Sequence, residues 1–84
     1  MNDNYTMRFS ATSTNEMMIK EIFQKVTDAM IEKGYNAVDQ WVGFIISGDP
    51  GYITSYKDAR NMVVKVDRDE LLEHILRFYI KNTK

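Results

Sequence analysis

The sequence predicts an all-α fold: a small bundle of four to five helices, one of them short and placed after Gly48-Asp49-Pro50, behind a flexible N-terminal arm. Three observations predict it. Apolar residues recur at helical spacing in separate stretches. Gly34 and Gly48-Asp49-Pro50 fall between those stretches, where helices stop and restart. The only strand-like run in the body, Met62-Val63-Val64, is too short to outvote its neighbours.

Residues 1–15 carry Thr6, Ser10, Thr12, Ser13 and Thr14, three Asn, and only Asp3 and Arg8 as charges. Tyr5, Met7 and Phe9 alternate as a strand would, but a lone strand without a partner is unstable. Residues 1–12 are therefore expected to be an arm and 13–84 a helical domain. Ser13-Thr14-Asn15-Glu16 has capping-box spacing. Ile19, Ile22, Phe23, Val26 and Met30 then share one helix face, with Glu16–Lys20 and Glu21–Lys25 four apart, acid first. Gly34 supplies a left-handed stop. Asn36 caps a second helix running to about Ser47. Its apolar residues Val38, Trp41, Val42, Ile45 and Ile46 cover more than one face, so it is expected to be the most buried element. Asp49-Pro50 starts another turn, and Thr54 or Ser55 caps a short helix through Ala59 and Met62. Asp67-Arg68-Asp69-Glu70 repeats the capping-box spacing before a last amphipathic helix with Leu71, Leu72, Ile75, Leu76 and Tyr79 inward and Glu73, Arg77 and Lys81 outward.

At 84 residues the chain has room for one domain. Eleven basic residues against twelve acidic ones give a net charge of −1, which removes the electrostatic case for nonspecific nucleic-acid binding. Cysteine is absent, excluding disulfides, a thiolate nucleophile and a thiolate zinc site. No apolar run approaches the roughly 20 residues that span a bilayer. The N-terminus lacks a basic stretch followed by an apolar one, so no secretory signal is expected and the expected location is cytoplasmic. So small a chain buries only about 60–65% of its unfolded surface, and with no disulfide or metal the simplest added stability is a second copy.

His74, the single histidine, has Glu70 and Glu73 within one turn, which is two legs of a metal site where three or four are needed. A solvent-facing histidine between two acids explains it. No Ser or Thr has a base and an orienting group beside it. Gly48-Asp49-Pro50-Gly51 lacks the Lys and the spacing of a phosphate loop. No enzyme, cofactor or metal is expected. Lys57, Arg60, Lys65 and Arg68 would fall within about a third of the circumference if their segment were one helix. That face suits an acidic or phosphorylated partner. Helix, Gly-containing turn, helix also admits a small helix-turn-helix DNA-binding regulator, against which stand the net charge and Asp58. Thr6, near Arg8 in a weakly charged segment, is placed where a kinase active site can reach, and a phosphate there would add about two negative charges.

Thr6-Met7-Arg8-Phe9, Glu32-Lys33-Gly34-Tyr35-Asn36, Gln40-Trp41-Val42-Gly43-Phe44, Ser47-Gly48-Asp49-Pro50-Gly51-Tyr52-Ile53, Asp58-Ala59-Arg60-Asn61 and Arg68-Asp69-Glu70 follow one another in an order and spacing that resembles the IreB/ReoM family, from Thr6 to about Lys81. The resemblance implies a helical, homodimeric, non-enzymatic cytoplasmic regulator of Gram-positive bacteria. It implies phosphorylation on an arm threonine by a membrane Ser/Thr kinase with PASTA repeats, reversed by a cognate phosphatase. That switch controls peptidoglycan synthesis and resistance to cell-wall antibiotics, through Clp-dependent turnover of MurA. Thr6 matches the phosphoacceptor; Arg60 and Arg68 match arginines implicated in activity, with Lys57 and Lys65 beside them in the sequence as further partner-binding candidates. Positions 2–5 lack the second threonine of some members. Ser55 and Val64 stand where the family carries basic residues, so the basic surface is thinner, and Ala37 and Trp41 replace its usual proline and aliphatic residue.

Overall fold

The computed structural model describes the backbone of residues 2–83 and the side chains of residues 16–83. Four α-helices follow in order, α1 (Asn2–Glu32), α2 (Ala37–Ser47), α3 (Ala59–Val63) and α4 (Arg68–Lys81), with 3₁₀ turns at Pro50–Tyr52 and Tyr56–Asp58 between α2 and α3. No strand occurs among the described residues. The all-α reading is therefore correct, with one boundary changed: α1 begins upstream of Ser13. Side chains of the arm predicted over 1–12, including Thr6, and of Ser13 lie outside the described residues.

Local backbone chemistry sets most of the joints. α1 closes where Gly34, at φ 85°, lets the Tyr35 amide reach back to the Met30 carbonyl (2.9 Å) and its own amide to Ile31 (2.9 Å), the paired bonds of a Schellman end. Asn36 then accepts the Asp39 amide at 3.0 Å, capping α2. Gly48 ends α2 in the left-handed region, φ 77°, donating to the Phe44 carbonyl at 2.7 Å. Asp49 accepts the Gly51 amide at 2.8 Å with Pro50 in the first turn position. Thr54, rather than Ser55, caps the next turn by accepting the Tyr56 amide at 3.1 Å.

The Asp67 capping box does not form. The Asp67 side chain makes no cap bond, and the Glu70 amide donates instead to Asp69 at 2.9 Å. Among the predicted pairs on α1, Lys25–Glu21 forms at 3.1 Å, but Glu16 accepts from Arg77 of α4 at 3.1 Å.

The core runs along α1. Ile19, Ile22, Val26, Ala29 and Met30 are buried against Trp41 and Phe44 of α2, Ile53, Ala59 and Val63 around α3, and Val66 and Leu71 at the start of α4. Each fully buried side chain of the size of Met30 or Ile53 contributes about 1.5–3 kcal/mol of transfer free energy. The central element is thus α1, which packs on α2, α3, α4 and the second 3₁₀ turn. The expectation that α2 would be most buried is overturned, because only its Trp41 and Phe44 side is covered. Of the inward residues expected on α4, Leu71 is buried and Ile75 half-buried, while Leu72, Leu76 and Tyr79 are exposed.

Candidate functional site

The basic segment is broken rather than continuous. Lys57 sits in the second 3₁₀ turn, Arg60 in α3, Lys65 in the turn after α3, and Arg68 at the first position of α4. The break has a local cause: Lys57 and Asp58 adopt φ values of 52° and 66°, a left-handed pair that interrupts any helix entering α3. The four bases therefore do not share one helical face, and the single basic stripe expected from their spacing is not formed.

Each of three bases is committed to a neighbour within the chain. Lys57 Nζ pairs with Glu32 Oε1 at 2.9 Å, at the end of α1. Tyr56 donates its hydroxyl to the other oxygen of the same carboxylate, also at 2.9 Å. The Lys57 ammonium, and next the Tyr56 hydroxyl, hold the Glu32 carboxyl below its ordinary value. The same hydrogen bonds, donated to Glu32, raise the pKa values of Lys57 and Tyr56. Lys33 approaches the Tyr56 ring as well, 5.1 Å from its centroid. Arg60 donates from Nε to the Ile53 carbonyl at 2.9 Å. Arg68 donates from Nη1 to the Ile45 carbonyl at 3.1 Å. Lys65 is exposed.

Lys57 and Arg68 line different hollows. One is bounded by Lys25, Asp28, Ala29, Glu32, Lys57 and Met62. The other lies between α2 and α4, bounded by Ile45, Asp67, Arg68, Asp69 and Leu72. His74 is half-buried rather than solvent-facing, and Glu73 beside it is paired with Arg77. Among the described residues no three His, Cys, Asp or Glu side chains cluster as a metal site would. The second helix of a helix-turn-helix reading would be α3, with only five residues to place in a groove. No helix among the described residues is long and apolar enough to cross a membrane.

α2 also carries exposed apolar residues where its sequence predicted a buried helix, as α4 does at Leu72, Leu76, Phe78, Tyr79 and Ile80. Val38, Val42 and Ile46 stand at four-residue spacing on α2 and are 69%, 48% and 77% exposed. They form an apolar stripe on the flank of α2, beside the sector that packs on the core. Tyr52, 51% exposed, lies over Gly43 of the same helix: a Cβ at Gly43 would come within 2.9 Å of Tyr52 Cγ and Cε1. The signal was present in the spacing. Positions 38, 42 and 46 fall within about 80° of the helical wheel, next to the sector of 37, 41, 44 and 45 that packs on the core.

Comparison with known proteins agrees with the resemblance. The family model described as "IreB regulatory phosphoprotein" matches residues 4–81. A "UPF0297 protein" of Ruminiclostridium cellulolyticum is 51% identical over 82 residues, covering 98% of this chain and 93% of that relative. With nearly the whole chain matched, and with a helical fold carrying the quoted motifs at its joints, this protein belongs to the IreB regulatory phosphoprotein family.

Proposed function

We propose that this chain is a non-enzymatic cytoplasmic switch, phosphorylated on Thr6 by a PASTA-repeat Ser/Thr kinase and reset by the cognate phosphatase. The observation that carries this reading is the family match over residues 4–81, which includes Thr6 ahead of Met7-Arg8-Phe9. The output is control of peptidoglycan synthesis and of resistance to cell-wall antibiotics. The unphosphorylated form promotes Clp-dependent degradation of MurA. A phosphate on Thr6 adds about two negative charges to a segment with few of its own and so changes what the chain can bind.

The working unit is a homodimer joined through α2. The exposed Val38, Val42 and Ile46 support this, because a stripe of that kind is unusual on a small monomer. The helix also carries a single charged residue, Asp39, to oppose self-association. Of the four bases, Lys57 and Lys65 keep the partner-binding role in this reading, while Arg60 and Arg68 are bonded to backbone carbonyls. The bases act as separate points rather than as one stripe.

The test is MurA turnover in cells of the source organism after protein synthesis is stopped. Deleting the chain should lengthen the MurA half-life, and Thr6→Ala should keep it short whatever the kinase activity. A half-life indifferent to both changes would remove the MurA role.

A further inference from the structure

Arg60 and Arg68 make the same kind of bond at the two ends of one segment. Arg68 holds the Ile45 carbonyl, and Arg60 the Ile53 carbonyl. Between them runs the end of α2 and the Ser47–Tyr52 turn. The Ile45 carbonyl is among the last four of α2, which lack partners within the helix, and a cation there also meets the negative end of the helix dipole. The guanidinium rests against Gly48: a Cβ at that position would lie 2.7 Å from Arg68 Cζ and 3.0 Å from Nε. At the other end Ile53 is wholly buried, and the next amide, Thr54, donates to Gln40 Oε1 at 3.0 Å. Inside the segment Ser47 accepts the Asp49 amide at 3.0 Å and donates to the Gly43 carbonyl at 2.7 Å.

We infer that Arg60 and Arg68 are positioning residues that clamp the 46–52 segment from both ends, and so set where Ile46 and Tyr52 stand on the α2 surface. They act by positioning that surface and not by offering charge to a partner. The clamp is a property of the free chain; its effect on assembly rests on the reading of α2 as the association face.

The experiment is amide hydrogen exchange by NMR, with sedimentation at several salt concentrations, on Arg60→Ala, Arg68→Ala and their Lys counterparts. The Gly48 amide in Arg68→Ala and the Ile53 amide in Arg60→Ala should exchange about tenfold faster or more, with the acceleration centred on residues 46–54. The Lys variants, able to donate a single bond, should recover part of the protection. Association should weaken in both Ala variants while keeping the wild-type salt dependence.

Unchanged exchange over 46–54 in all four variants would overturn the clamp. So would association that weakens only through a flattened salt dependence, the mark of a charge lost from the interface. Val42→Asp separates the two readings. If it dissociates the dimer while both arginine variants associate normally, the inference fails and the association face stands. If Val42→Asp has no effect, the association face itself is wrong.

Discussion

The indole of Trp41 lies on the ring of Phe23, centroids 4.8 Å apart and planes 22° apart, where α2 meets α1. The same indole donates to Thr27 Oγ1 at 2.8 Å and meets Phe44 edge-on at 6.3 Å. One residue therefore supplies an aromatic stack and a hydrogen bond at a single crossing, and the covered side of α2 depends on it.

Trp41→Phe keeps an aromatic ring there but removes the donor and part of the contact area. The lost hydrogen bond and the smaller ring together should cost about 1–2 kcal/mol. For a domain of this size that is a fall in melting temperature of about 4–15 °C, read by far-UV circular dichroism. An unchanged melting temperature would mean that the Thr27 bond and the stack contribute nothing.

Gly43→Ala sets two effects against each other. Alanine favours a helix interior by about 1 kcal/mol over glycine, but its Cβ would meet the Tyr52 ring. Overpacking of that kind costs about 1–3 kcal/mol. The packing effect should win, giving a lower melting temperature together with a displaced Tyr52 ring signal in NMR spectra. A stabilised variant would show that Tyr52 moves aside at no cost.

Glu32 ties the second 3₁₀ turn to α1, and its removal should show a pH signature. Its carboxyl is held below the ordinary glutamate value by Lys57 and Tyr56. Its contribution is therefore present above that ordinary value and lost as pH falls through the depressed one. Lys57 and Tyr56 are raised, so their contribution is present below their ordinary values and lost as pH rises through the raised ones. The stability gap between wild type and Glu32→Gln should be flat near neutrality and close at both extremes. It should be small, because the groups are exposed. Urea unfolding at a series of pH values reads it; a gap that persists unchanged into acid would contradict the assignment.

Val42→Asp or Ile46→Asp should weaken self-association by about a hundredfold or more, since a charge would then face an apolar partner surface. Helix content should be kept, because neither side chain is part of the core. Sedimentation velocity paired with circular dichroism separates this from unfolding.

What the sequence made legible was mostly local. Gly34, Asn36, Gly48 and Asp49-Pro50 act through the backbone of their immediate neighbours, and each does in the structure what its residue type favours. Two local rules failed: the Ser13 box falls inside α1, and at the Asp67 box the Glu70 amide donates to Asp69 instead. What pattern could not reveal was which side of a helix finds a partner. The apolar residues of α2 read as a core helix, yet the structure covers only the side of Trp41 and Phe44. Contacts between distant positions were equally hidden. Arg68 with Ile45, and Glu32 with Tyr56 and Lys57, are joined only by the fold. Four bases at helical spacing suggested one stripe, and the left-handed Lys57-Asp58 pair and the end of α3 at Val63 disperse them.

The central claim is that a phosphate on Thr6 switches this chain. Intact-protein and peptide mass spectrometry after incubation with the kinase domain of the source organism tests it most directly. The account predicts a single phosphate mapped to Thr6 and absent from Thr6→Ala. No phosphate, or phosphate scattered over Ser10, Thr12 and Thr14, would contradict it.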